Sequence, residues 1–108
     1  MTGISTHVLD ISLGKPAVGL NVRLTHETGG EWFGVTDADG RCRDLLNAAA
    51  LKSGNYRLIF AVAPYFEARQ IPTLYPEVII SFTVRDPQQH HHIPLLLAPN
   101  GYTTYRGT

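Results

Sequence analysis

Cysteine is all but missing from this chain of 108 residues. Cys42 stands alone, so no disulfide can close within the chain and the core must hold by packing. A single thiol points to a reducing compartment. Charge of either sign is not in excess: nine Lys and Arg offset nine Asp and Glu, for a formal net charge of zero. That excludes the broad basic surface a nucleic-acid binder needs. It also removes self-repulsion, which suits self-association. Long apolar runs are missing, and none approaches the roughly 20 residues needed to cross a bilayer. Residues 1–7 have neither a basic stretch nor an apolar one, so no secretory signal and a cytoplasmic location are expected. No Gly-x-Gly-x-x-Gly loop and no Gly-x-Ser-x-Gly elbow occurs; the glycines are spread over turns.

The pattern that is present has a period of two. Apolar residues make up 44% of the chain, ordinary for a globular protein, and the length suits one domain over 1–108. Leu20, Val22 and Leu24 alternate with Asn21, Arg23 and Thr25; Tyr56, Leu58, Phe60 and Val62 share one face, as do Val78, Ile80, Phe82 and Val84. Further strands are expected over 4–11, 31–36, 41–44, 90–97 and 102–106. Turns are expected at 14–17, 26–30 and 86–89, and at Asp37-Ala38-Asp39-Gly40, whose Asp and Gly tolerate tight-turn backbone angles. The three alanines of residues 45–52 fit a short helix, and 65–70 could form one or two helical turns. The sum is an all-β protein: an antiparallel β-sandwich of seven or eight strands with one short helix.

The strand over 90–97 is apolar on both faces, with His91, Ile93, Leu95 and Leu97 on one and His92, Pro94 and Leu96 on the other. In so small a domain, burial of the second face needs another chain, which predicts an oligomer.

Four polar features carry candidate chemistry: His7, Arg41, the run His90-His91-His92, and the tail Tyr105-Arg106-Gly107-Thr108. His7 reads either as a surface histidine on a half-exposed strand or as a site residue. Arg41 reads either as a turn arginine bonded to a nearby aspartate or as a clamp for a developing oxyanion. His90 and His92 share one face, but no carboxylate or cysteine lies at ligand spacing, which argues against a metal. The other use of paired imidazoles is proton transfer near neutral pH, and with an arginine that suits hydrolysis of a polarised carbonyl. The tail alternates in strand fashion, as an ordered segment would.

These residues, in order, resemble the transthyretin-like family: Ser5-Thr6-His7-Val8-Leu9-Asp10, Gly14-Lys15-Pro16-Ala17, Thr36-Asp37-Ala38-Asp39-Gly40-Arg41, Gly54-Asn55-Tyr56-Arg57, Tyr65-Phe66, Tyr75-Pro76-Glu77, and His90 through Thr108. The His-Arg-His set and the Tyr-Arg-Gly ending are similar to the hydrolase branch rather than the hormone carriers. Thr108 departs from that branch's terminal serine and keeps a hydroxyl. The resemblance implies a transthyretin-like sandwich and a homotetramer whose central channel is shared between subunits. It implies hydrolysis of 5-hydroxyisourate in urate breakdown, with no metal and no cofactor. His7, Arg41, His92 and Thr108 would be catalytic, and His7, Arg41, Tyr105 and Arg106 would bind substrate. Between the two histidines, His92 is preferred as the base that activates water, with His7 orienting water or donating a proton. The alternative is a non-catalytic carrier of small aromatic ligands in the same channel.

Overall fold

A computed structural model describes residues 3–108. Among these residues, nine strands, two of them only two residues long, and one helix form two sheets. In chain order they are β1 (Ile4–Asp10), β2 (Lys15–Pro16), β3 (Asn21–His26), β4 (Glu31–Val35), β5 (Arg41–Cys42), β6 (Gly54–Phe60), α1 (Val62–Glu67), β7 (Val78–Val84), β8 (His91–Ala98) and β9 (Gly101–Thr104). One sheet runs β2-β1-β8-β9 with β5 paired onto β1; the other runs β4-β3-β6-β7. The alternating residues do what their spacing requires. Val22, Leu24, Tyr56, Leu58, Phe60, Val78 and Ile80 from one sheet meet Ile4, Val8, Ile93, Leu95 and Leu97 from the other in a single core.

The sandwich stands, with nine strands where seven or eight were expected, the extra one being the two-residue β2 within the turn expected at 14–17, and with three further differences from the sequence reading. First, β1 and β8 are parallel, from Ile4 opposite His91 to Asp10 opposite Leu97. Parallel neighbours need a long crossover, and here the whole second sheet is threaded between them. Second, residues 45–52 form no helix. Asn47 (φ 50°) and Ala48 (φ 70°) take left-handed backbone, which no α-helix continues through, while Leu45, Leu46 and Leu51 pack into the core from irregular chain. Third, the helix begins at Val62, where a strand was expected to end, rather than at Tyr65. Pro64 lies in its first turn, where a missing N–H costs no helical bond. Gln70, at φ 60°, lies just beyond it.

The sheet that carries β1 and β8 positions the candidate residues. Ile4, Thr6, Val8 and Asp10 are fully buried on its inner face, so Ser5, His7 and Leu9 point outward. Parallel register sets His92 beside Ser5, Pro94 beside His7 and Leu96 beside Leu9. The outer face is therefore polar at one end and apolar at the other.

Candidate active site

A hollow of about 320 Å³ opens on the polar end of this face, lined by Ser5, Arg41, Cys42, His90, His92 and Thr108 among others. Each arrives by a different route. Ser5 and His92 are neighbours across the parallel pairing. Arg41 is delivered by β5, whose register puts it opposite His7. Gly40 makes that delivery possible. Its backbone is left-handed (φ +75°), its carbonyl accepts the amide of Val8 at 2.8 Å, and a Cβ there would come within 2.4 Å of the Val8 carbonyl oxygen. Thr108 arrives through the tail: the Gly107 amide donates to the His92 carbonyl at 2.8 Å, in register with the β8–β9 ladder.

The Asp-rich turn does not neutralise Arg41. The Asp37 carboxylate accepts the backbone amides of Asp39 (2.9 Å) and Arg41 (3.0 Å). The Arg41 amide is the chief reason the Asp37 carboxyl is held below the usual carboxylate range. The side-chain partner of the turn is Arg43, 3.9 Å from Asp37 and 3.4 Å from Asp39. Among the described residues the Arg41 guanidinium makes no ion pair within the chain, so its charge is left to the hollow.

The histidines divide as their spacing requires. His91 turns inward, is 5% exposed, stacks on Phe82 and donates from Nδ1 to the Gln89 carbonyl. His90 and His92 turn outward and meet on one hydroxyl: Ser5 Oγ is 2.8 Å from His90 Nε2 and 2.8 Å from His92 Nδ1. Burial first, then the charges of Arg41, His7 and His90, push the His92 pKa below the ordinary imidazole value. His90 is lowered too, by burial and then by His91, against an opposing pull from Asp44. Both rings are therefore neutral at neutral pH. Among the described residues no three His, Cys, Asp or Glu side chains are grouped to hold a metal.

His7, Arg41, His92 and Thr108 thus fall on one face, with His7 beside the hollow rather than lining it. Tyr105 and Arg106 do not join them within one chain. They line a separate hollow with Ile80, Phe82, His91 and Ile93, and the Arg106 guanidinium donates to Gln89 Oε1 at 3.2 Å. Pro94 is the local cause. It has no N–H to give, and the β8–β9 ladder lapses after Thr104 and resumes only as a single bridge between His92 and Gly107. Ser5 is the lining residue that the sequence pattern does not single out, and His90, paired there with His92, is given no place in the catalytic or binding set. A larger hollow of about 610 Å³ on the other sheet includes His26, Glu27 and Asn55, whose polar groups already bond one another or nearby backbone.

Fold and face define a two-sheet sandwich with histidine and arginine side chains gathered on the outside of one sheet as a candidate site. Comparison with known proteins narrows this. Residues 4–107 match the model of the HIUase/transthyretin family, and the chain belongs to that family. It is 44% identical, over the full length of both, to a 5-hydroxyisourate hydrolase of Caulobacter vibrioides. Among solved structures it is similar to 5-hydroxyisourate hydrolase of Klebsiella pneumoniae, with TM-score 0.90, 37% identity, and coverage of 99% of this chain and 100% of that one. Sea bream transthyretin in complex with thyroxine shares the fold at 25% identity, with TM-score 0.87 and coverage of 97% and 94%.

Proposed function

We propose that this chain hydrolyses 5-hydroxyisourate, the activity for which its relatives are named, and that it does so by opening a ring amide to give a ureidoimidazoline. One observation carries the reading: an unpaired arginine, a neutral histidine and a hydroxyl converge on one hollow, with a second histidine in register beside them. Amide hydrolysis asks for such a set. An imidazole takes a proton from water as its oxygen adds to the carbonyl carbon. The Arg41 guanidinium stabilises the oxyanion that forms. The Thr108 hydroxyl offers a hydrogen bond to the polar rim of the substrate. His7, Arg41, His92 and Thr108 are the catalytic group in this reading. Tyr105 and Arg106 bind substrate only where a neighbouring subunit brings them near a hollow.

The same reading makes the protein a homotetramer working in the cytoplasm. Leu9 and Leu96 leave the apolar end of the outer face half-exposed, and Ile11, Leu13 and Val18 around the β1–β2 turn are exposed. Stacking two such faces would cover these residues and enclose the hollows in a channel. Among the described residues no helix is long and apolar enough to cross a membrane. A carrier of aromatic ligands would also use an apolar channel, but it has no use for an unneutralised arginine beside two histidines. The test is ultraviolet monitoring of freshly generated 5-hydroxyisourate. The chain should accelerate its decay, and Arg41→Ala should abolish most of the gain. Decay at the uncatalysed rate would leave the carrier.

A further inference from the structure

Ser5 Oγ contacts a ring nitrogen on each of two histidines, at 2.8 Å in both cases. A serine hydroxyl has one proton to donate. Ser5 Oγ has no other hydrogen-bond partner among the described residues, so if both rings donated to it its own proton would have no acceptor. It therefore donates to one imidazole and accepts from the other, which ties the tautomers of the two rings together. In the first arrangement His90 carries its proton on Nε2 and donates to Ser5, and Ser5 donates to Nδ1 of His92. Neutral His92 then holds its own proton on Nε2. In the second arrangement every bond is reversed: His92 donates from Nδ1, Ser5 donates to His90, and the His90 proton moves to Nδ1.

The far nitrogen of His90 decides between them. His90 Nδ1 is buried and has no hydrogen-bond partner among the described residues. A stranded N–H there would forfeit a strong donor, and orphaned buried N–H groups are rarer than under-used acceptors. The first arrangement leaves only a lone pair in that position. Both rings are neutral, as their lowered pKa values require, so the choice is one of tautomer and not of charge.

We infer that Ser5 and His90 are positioning residues that hold neutral His92 as its Nε2–H tautomer, so that His92 enters the reaction as a proton donor and His7 takes the proton from water. This rests on the hydrolase reading and reverses the roles expected from the sequence. Water bonds through oxygen to the amide carbon while one of its protons passes to His7. The C–N bond then breaks, its electron pair stays on nitrogen, and that nitrogen takes the Nε2 proton of His92. As it does so, the proton held by the His7 imidazolium passes to His92 through bridging water, so His92 is not left as an imidazolate, and one water is consumed per turnover.

Long-range proton–nitrogen correlation spectra of the intact, isotopically labelled chain at neutral pH read the tautomer directly, with His90→Gln and His92→Gln assigning the signals. His90 and His92 should both show the Nε2–H pattern. Ser5→Ala should turn His92 into a mixture of tautomers and lower kcat about tenfold, with KM within about twofold, a fraction of the full general-acid effect. Ser5→Thr keeps the hydroxyl and should restore both readouts. An Nδ1–H pattern at His92 in the unsubstituted chain overturns the inference, as does an unchanged tautomer in Ser5→Ala. The spectra need no substrate. An inactive chain with His92 protonated at Nε2 would therefore sink the hydrolase reading and leave the tautomer lock supported.

Discussion

His7 lies directly opposite Arg41 where β1 pairs with β5. Cross-strand partners in an antiparallel pair share a face and sit within reach of one another. Yet β5 is only two residues long, so the pairing is a device for placing Arg41 rather than a pillar of the sheet. Arg41 has no ion pair within the chain among the described residues, and little stability rides on its charge. Arg41→Lys should therefore lower kcat by roughly a hundredfold, the scale of losing an oxyanion donor with fixed fork geometry. Its thermal midpoint should stay near that of the parent. Steady-state kinetics and a melting curve on the same sample check both. A variant that melts early but turns over normally would recast Arg41 as a structural residue.

A second pair holds the opposite end of β1. The Tyr65 hydroxyl of α1 donates to Oδ2 of fully buried Asp10 at 2.8 Å, while the Ser12 amide donates to Oδ1 at 3.0 Å. Burial first, and then the bond to Asp10, push the Tyr65 pKa up to about 12, so this donor keeps its proton at any working pH. Tyr65→Phe removes the donor and leaves a buried carboxylate oxygen short of a partner. The loss should be about 1.5–3 kcal/mol of unfolding free energy, read from the denaturant midpoint. The helix does not line the hollow of Arg41 and His92, so kcat should hold. A midpoint unmoved by Tyr65→Phe would show that the contact contributes nothing net.

Acid should weaken the fold in a window set by histidines before carboxylates matter. His90 and His92 have folded pKa values lowered chiefly by burial, whereas an unfolded imidazole titrates near about 6.5. Above that value both states are neutral and the fold keeps its full stability. Below it the unfolded chain binds protons that the folded chain refuses, so stability falls as pH drops toward the folded values. The Asp37 carboxyl, lowered in the folded chain, adds a separate loss only at more acid pH, below about 3.9. Denaturant midpoints between about pH 5 and pH 7 should show the first loss, and the double variant His90→Gln, His92→Gln should flatten it. An equal slope in parent and double variant would assign the acid loss to other groups.

How much of this could be read from the chain depends on range. Alternation is local, and it carried the strands and the opposite faces of His91 and His92. The turn before Arg41 was legible for the same reason, since Asp37 through Gly40 encode it in four consecutive residues. Ser5 was not legible as a site residue. Its partners lie 85 and 87 positions away, and only the parallel β1–β8 pairing brings them together. No spacing within either segment announces that pairing. The alanines of residues 45–52 misled because helix propensity is weak beside tertiary burial, and Leu45, Leu46 and Leu51 are drawn into the core. Tyr105 and Arg106 share the tail with Thr108 but not its hollow, because Pro94, eleven residues upstream of Tyr105, interrupts the ladder that would have kept the alternation regular.

The tail itself can be tested with two glycines. A Cβ on Gly107 would fall 2.5 Å from Cδ2 of His92 and 3.1 Å from Cγ of Pro94. Neither neighbour can yield easily: Ser5 fixes the His92 ring, and Pro94 is buried in mid-strand. The tail must move instead, and Thr108 moves with it. Gly107→Ala should therefore cost roughly tenfold to a hundredfold in kcat, the scale of a misplaced site group. Because the tail is exposed, unfolding free energy should shift by less than about 1 kcal/mol. Gly101, in the same tail, has open space where a Cβ would stand, with no neighbouring atom within 4 Å, and Gly101→Ala should leave turnover intact. Equal turnover in the two variants would remove Thr108 from the site, whereas loss confined to Gly107→Ala ties catalysis to the contact between the tail and His92.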